Sequence, residues 1–113
     1  MKIVDKISVV ELNEMSNKMF SQIVKADVDI AKRIVIVDME MHADGEAKLL
    51  DGGSAQADLW GVNLHPDKIG TDNFIEFDSM INIRPRQNNM GRGVYDSEIK
   101  SKIIEIIGEV VYE

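Results

Sequence analysis

The residues best suited to binding chemistry are three arginines in the last third of the chain. Arg84, Arg86 and Arg92 fall within a stretch that contains no acid, although the chain as a whole has a net charge of −7. Pro85 favours an extended backbone, which would point the guanidinium groups of Arg84 and Arg86 the same way. Such groups bind carboxylates and phosphates through paired hydrogen bonds, and Asn82 adds an amide. We therefore predict an anion-binding or partner-binding site here; the alternative is internal pairing with the abundant acids.

A second set of residues with suitable chemistry lies at 38–48, where polar and apolar residues alternate strictly. This alternation predicts a β-strand that carries Glu40, His42 and Asp44 on one face. Neighbours on one strand face lie ~6.6 Å apart, so a metal ion would take two of them and a further ligand such as Asp78 from another strand. The set predicts a divalent-metal site for Zn²⁺, Mn²⁺ or Fe²⁺. The alternative is a solvated sheet face whose charges discourage edge pairing.

A third polar group surrounds the single tryptophan, Trp60. Alternation predicts that Trp60 faces the core, as large aromatic residues usually do, and that Asn63 and His65 lie on the other face of the strand. Either histidine, His42 or His65, could act as a base near neutral pH. No Gly-x-Ser-x-Gly segment marks a serine nucleophile, and no recognised metal-ligand spacing is present.

Composition limits the class of protein. The 113 residues fit a single domain, 1–113, and 44% of them are hydrophobic, which is enough for a core. Cysteine is absent, which excludes disulfides and thiolate chemistry. The 20 acids against 13 bases disfavour nucleic acid. No signal peptide or membrane span is recognisable, so we expect a cytoplasmic protein with no membrane partner.

The elements that must position these residues follow from periodicity. Ser8 with Glu11 forms a capping box for a helix whose apolar stripe includes Met19, and Asp96 caps a second helix near the end. Residues 31–33 predict a hairpin connection, and 51–54 predict a turn. The predicted order is β-α-β-β-β-β-α, with strands at 2–4, 26–30, 38–49, 59–64 and from Asn73 onward. This order predicts an α+β fold: a two-layer sandwich of a mostly antiparallel sheet, about four to five strands, with two helices on one face.

Two segments resemble a known family. Asp51-Gly-Gly-Ser-Ala-Gln-Ala-Asp-Leu-Trp-Gly-Val-Asn-Leu64 and Phe77-Asp-Ser-Met-Ile-Asn-Ile-Arg-Pro-Arg-Gln87 are similar to segments of a family of small prokaryotic proteins, one of the catalogued domains of unknown function. The resemblance extends over nearly the whole chain. It implies a stand-alone bacterial or archaeal domain and no particular activity.

Two functional hypotheses follow. The first is a non-enzymatic interaction or ligand-binding module, a homo-oligomer or the partner of another protein, that uses the arginine-bearing loop or the polar sheet face. The second is a metal-dependent hydrolase for a phosphorylated small molecule. In that case Glu40, His42, Asp44 and Asp78 would hold the divalent metal while the arginines bind the anion. No other cofactor is indicated.

Overall fold

A computed structural model describes residues 1–18 and 22–113. In these ranges, five strands form one antiparallel sheet in the order β1-β4-β3-β5-β6, and β2 and β7 form a separate parallel pair. Three helices pack around them. The elements, in chain order, are β1 Lys2–Val4, β2 Ile7–Ser8, α1 Val9–Lys18, β3 Val24–Asp29, β4 Ile34–Val37, α2 His42–Asp51, β5 Leu59–Leu64, β6 Ile75–Glu76, α3 Ser97–Val110 and β7 Val111–Tyr112. The predicted α+β fold with an antiparallel sheet is confirmed.

The main core lies on one face of this sheet. Strand β3 is the central strand and pairs along its whole length with β5, so Ala26 lies opposite Val62 and Val28 opposite Trp60. These side chains are buried together with the apolar stripes of α1 and α3. Trp60 lies in this core together with Val62 and Leu64, as the alternation along β5 predicts.

Both predicted helices begin where the capping signals placed them. The Glu11 backbone N–H donates to the Ser8 hydroxyl over 3.1 Å at the start of α1. The Asp96 carboxylate accepts from the N–H groups of Glu98 and Ile99 at the start of α3. Each bond satisfies a helix N–H that has no partner within the helix. Met19, which belongs to the predicted apolar stripe of α1, lies outside the described residues.

The predicted strand at 38–49 is wrong, because the chain forms helix α2 there. The residues of α2 that become buried, His42, Gly45 and Leu49, recur at intervals of three and four, which is a helical period. The segment is also rich in helix-forming Ala, Glu, Lys and Leu and contains no β-branched residue. Helix α2 covers the sheet face opposite α1 and α3, so helices lie on both faces.

The predicted long strand from Asn73 is also wrong beyond its first part. Only Ile75–Glu76 pairs with β5, and the chain then leaves the sheet through short 3-10 turns at Met80–Asn82 and Pro85–Gln87. Ser79 starts the first turn by accepting a hydrogen bond from the N–H of Ile81. Polar side chains that bond the local backbone compete in this way with sheet pairing.

The remaining local predictions hold, with one change. Residues 30–33 connect β3 to β4 as a hairpin, in which Arg33 has a φ of 58°. The strand that follows is Ile34–Val37 rather than one starting at residue 38.

Across 1–18 and 22–113, every helix is too short or too polar to cross a membrane.

Candidate interaction site

The loop between β6 and α3 covers an open sheet edge. Strand β6 pairs only with Asn63 and Leu64, which leaves the rest of the β5 edge without a neighbouring strand. The side chain of Asn82 fills this place at Gly61: its oxygen accepts from the Gly61 N–H over 2.8 Å, and its amide donates to the Gly61 carbonyl over 2.9 Å. One side-chain amide therefore substitutes for the backbone of a strand, and it protects the edge from other pairing.

Arg84 also binds backbone groups along this edge of β5. Its guanidinium donates to the carbonyl oxygens of Gln56 and Leu59, and its Cζ lies over the ring of Trp60, 4.0 Å from the ring centroid. A cation over an aromatic face is attracted by the ring's negative potential. Burial lowers the pKa of Arg84, although nearby acids such as Glu46 oppose this effect. Asn82 and Arg84, two of the four predicted anion or partner ligands, thus bind the chain itself.

The other two predicted ligands are on the surface. Arg86 is exposed and has no hydrogen-bond or ion-pair partner within the described ranges. The Arg92 guanidinium nitrogen Nε lies 2.5 Å from Asp78 Oδ1 in an exposed pair. The prediction that Arg84 and Arg86 point the same way is wrong, because the backbone turns at Pro85–Gln87 instead of staying extended.

Asn89 holds the loop together. Its side-chain amide donates to the carbonyls of Asn82 (2.7 Å) and Gly93 (2.8 Å), and its side-chain oxygen accepts from the Tyr95 N–H over 3.1 Å. Its backbone forms an isolated antiparallel bridge with Arg84. Asn89 is buried, so these bonds are shielded from water. The sequence analysis missed this role, since a polar residue in a loop carries no signal of burial.

The predicted metal ligands do not form one group. His42 is buried at the start of α2, and its Nε2 donates to the Val62 carbonyl over 2.9 Å. Burial lowers the pKa of His42, so the ring is neutral at pH 7. Glu40 and Asp44 are exposed, and Asp78 is paired with Arg92. Among the described residues, no group of three or more His, Cys, Asp or Glu side chains could hold a metal ion.

The polar group near Trp60 forms small local contacts. The side chain of Asn63 donates to Glu76 Oε1 over 2.9 Å, and His65 Nε2 lies 3.4 Å from the same oxygen. His42 interacts electrostatically with Lys25, Asp78 and Arg92 but not with this pair. The histidines therefore belong to different polar contacts.

Asp27, which the sequence analysis did not select, has a raised pKa. It lies fully buried on the central strand β3, on the face covered by α2. A Cβ atom on Gly45 would lie only 2.4 Å from Asp27 Oδ2, so α2 approaches this carboxyl as closely as glycine allows. Burial, together with the charge of Glu46, raises the pKa of Asp27 to about 8; the backbone amide of Glu46 offsets part of the rise. Neither oxygen has a donor with full hydrogen-bond geometry. At pH 7 the group is therefore largely protonated.

The loop between β6 and α3 carries exposed apolar side chains on its outer surface. Of the eleven large apolar side chains that are exposed in the described ranges, four lie between residues 80 and 95. A fifth, Met41, precedes α2, and α2 contacts the turn at Met80–Asn82. We call this set together with the exposed arginines the Met–Arg surface: Met41, Met80, Ile83, Met90, Tyr95, Arg86 and Arg92. The apolar side chains of this surface are exposed, whereas Asn82 and Asn89, which hold the loop by hydrogen bonds, are buried.

Comparison with known proteins identifies a family. The family described as "Protein of unknown function (DUF5674)" matches residues 1–110. Since the match covers nearly the whole chain, the chain belongs to this family, and the expected membership of a family of unknown function is confirmed. No curated protein shows significant similarity to the chain, and no solved structure does.

Proposed function

We propose that this member of the family is a non-enzymatic interaction module of the prokaryotic cytoplasm that self-associates through the Met–Arg surface. One observation carries the proposal: Met80 and Met90 are 69% and 70% exposed on a loop that Asn82 and Asn89 hold in place by buried hydrogen bonds. Exposed apolar groups gain free energy when a partner covers them. A loop that is already ordered loses little conformational entropy on binding.

The composition of this surface is that of protein interfaces. Methionine, tyrosine and arginine are enriched at interfaces relative to the rest of the protein surface. Methionine is flexible and polarisable, so it adapts to a partner's shape. Tyr95 adds a large ring that is 65% exposed. Most of the Met80, Met90 and Tyr95 side-chain area is therefore available for contact with a partner.

Charge favours a second copy of the same chain as the partner. Arg86 has no acid partner among the described residues, whereas the exposed acids Glu40 and Asp44 lie on either side of Met41 in sequence. In a dimer with two-fold symmetry, one patch meets its own copy, so the acids of one protomer can lie against the arginines of the other. Met41 and Met80 would then form the apolar centre of the interface.

Sedimentation or light scattering across a concentration series tests this proposal. We expect wild-type protein to dimerise at concentrations below about 0.1 mM, within the range of ordinary protein interfaces. Met80→Glu should give monomers, because it places a charge in the apolar centre. Val10→Glu is the matched control, since Val10 is equally apolar, 66% exposed and located on α1. It should leave the dimer intact.

Two results would contradict the proposal. One is wild-type protein that remains monomeric at about 1 mM, a concentration at which even weak interfaces associate. The other is a dimer that Met80→Glu does not disturb. Arg86→Glu provides a further test, because it would place a negative charge against the acids of the other protomer. It should weaken the dimer at low salt, and this loss should shrink as the salt concentration rises.

No specific observation favours the hydrolase hypothesis. Its ligand set depended on a strand at 38–49, and α2 replaces that strand. Its anion ligands included Arg84, whose guanidinium binds backbone carbonyls of the chain. The interaction module is therefore the function that the geometry supports best.

A further inference from the structure

A separate groove lies between α3 and the segment that contains β6. Its volume is about 710 Å³, which falls in the range of small-molecule pockets. The groove does not include any member of the Met–Arg surface. Its lining is mostly isoleucine, phenylalanine and valine, with six polar or glycine positions: Gly70, Thr71, Asp72, Lys100, Gly108 and Glu113.

The groove has a buried floor and an exposed apolar wall. Phe74 and Ile107 are buried in the main core and form its base. Ile104, from the middle of α3, is 47% exposed in the same groove. Gly108 leaves an opening one turn further along, since a Cβ atom there would meet no atom within 4 Å. The chain thus leaves a continuous apolar channel open along α3.

The charges of the groove are separated along its length. Lys100 and Val111 both line it. Helix α3 continues for ten residues from Lys100 to its end at Val110, a rise of ~15 Å. The Lys100 ammonium lies over the ring of Phe77, 4.9 Å from the ring centroid, and has no carboxylate partner among the described residues. Glu113 lies beyond Val111, at the other end. Lys100 therefore places a positive charge at one end of the apolar channel, and Glu113 places a negative charge near the other.

We propose that this groove binds an amphipathic monocarboxylate, with its hydrocarbon chain along α3 and its carboxylate at Lys100. The apolar walls select the chain, and an ammonium already positioned on Phe77 selects the negative group. Asp72 and Glu113 oppose a second negative group on the same ligand. This pattern favours a molecule with one anionic end over a dicarboxylate.

Calorimetric titration and amide NMR with decanoate, below its micelle concentration, test the proposal on the intact chain. We expect saturable binding of one decanoate per chain, with shifts at the amides of Gly70, Ile104 and Gly108. Decanol and decylamine should bind at least about tenfold more weakly, because they lack the charge-assisted bond. Lys100→Gln should weaken decanoate binding to a similar extent, and Lys100→Arg should retain it.

Two matched variants separate binding in the groove from general adhesion. A Cβ atom at Gly108 would meet no atom within 4 Å, and leucine raises helix propensity. We therefore expect Gly108→Leu to fold, to fill the channel and to lose decanoate binding. Ser101→Leu adds the same side chain to an exposed position of α3 outside the lining and should bind normally. The proposal is overturned if decanoate does not bind, if decylamine binds more tightly than decanoate, or if Gly108→Leu leaves binding unchanged.

Discussion

Raising the pH from 5 to 7 should destabilise this protein, and Asp27 should be the cause. The pKa of Asp27 is raised from 3.8 to about 8 in the folded chain, mainly by burial. Between these values the folded state holds a proton that the unfolded state has released. Stability contributed by the protonated group is therefore complete below pH 3.8 and is lost as the pH rises through 8.

The size of the effect follows from linkage. Each pH unit within this window changes the free energy of unfolding by ~1.4 kcal/mol for a single proton. Between pH 5 and pH 7, Asp27 should therefore lower the stability by about 3 kcal/mol, a large part of the 5–15 kcal/mol typical of a domain. His42 acts in the opposite direction, because its lowered pKa makes stability rise with pH below about 6.5.

Urea unfolding of the wild type and Asp27→Asn, at half-unit intervals from pH 5 to pH 8, isolates the contribution of Asp27. Asparagine keeps the shape of the side chain and cannot ionise, whereas His42 contributes equally to both proteins. We expect the wild type to lose stability relative to Asp27→Asn by ~1.4 kcal/mol per pH unit. A difference in slope below about 0.3 kcal/mol per unit would refute a buried, protonated Asp27.

Two further changes test the packing around α2 and β5. Gly45→Ala should destabilise the fold by about 1–3 kcal/mol in spite of better helix propensity, because its Cβ would lie 2.4 Å from Asp27 Oδ2. Gly108→Ala, the matched control in open space, should stabilise it by about 0.5–1 kcal/mol. Asn82→Ala should cost about 2–4 kcal/mol in the same unfolding assay, because both backbone groups of Gly61 lose their partner. A cost below about 1 kcal/mol would show that water replaces the amide.

Local patterns in the sequence determined the elements that depend on neighbouring residues. The Ser8 and Asp96 caps mark the helix starts because each side chain bonds backbone N–H groups only two or three residues away. Trp60, Val62 and Leu64 point to the same face of the sheet because alternate residues of a strand share a face. Each of these interactions joins residues within one helical turn or one strand, so the pattern that predicts it is visible in a short stretch of sequence.

The error at residues 38–49 has a different origin. Polar and apolar residues alternate with a period of two in this segment, but the same residues also allow a helix that buries His42, Gly45 and Leu49. In the folded chain this helix brings Gly45 against Asp27 of the sheet. That contact joins two elements that are eighteen residues apart in sequence. No local pattern indicates that the polar face of β3 is covered.

The roles of the loop residues were decided in the same way. The sequence indicated a local charge opposite to that of the chain at Arg84, Arg86 and Arg92, and it placed Asn82 and Arg84 on the polar face of a long strand. Only the tertiary structure decided which of them face the chain, since β6 is too short to cover β5 and leaves Gly61 open. Asn82 and Arg84 donate hydrogen bonds to the backbone carbonyls of Gly61 and Leu59 at that edge, whereas Arg86 stays on the surface. The physical reason is that a buried backbone group needs a hydrogen-bond partner, and which groups are buried depends on the whole fold.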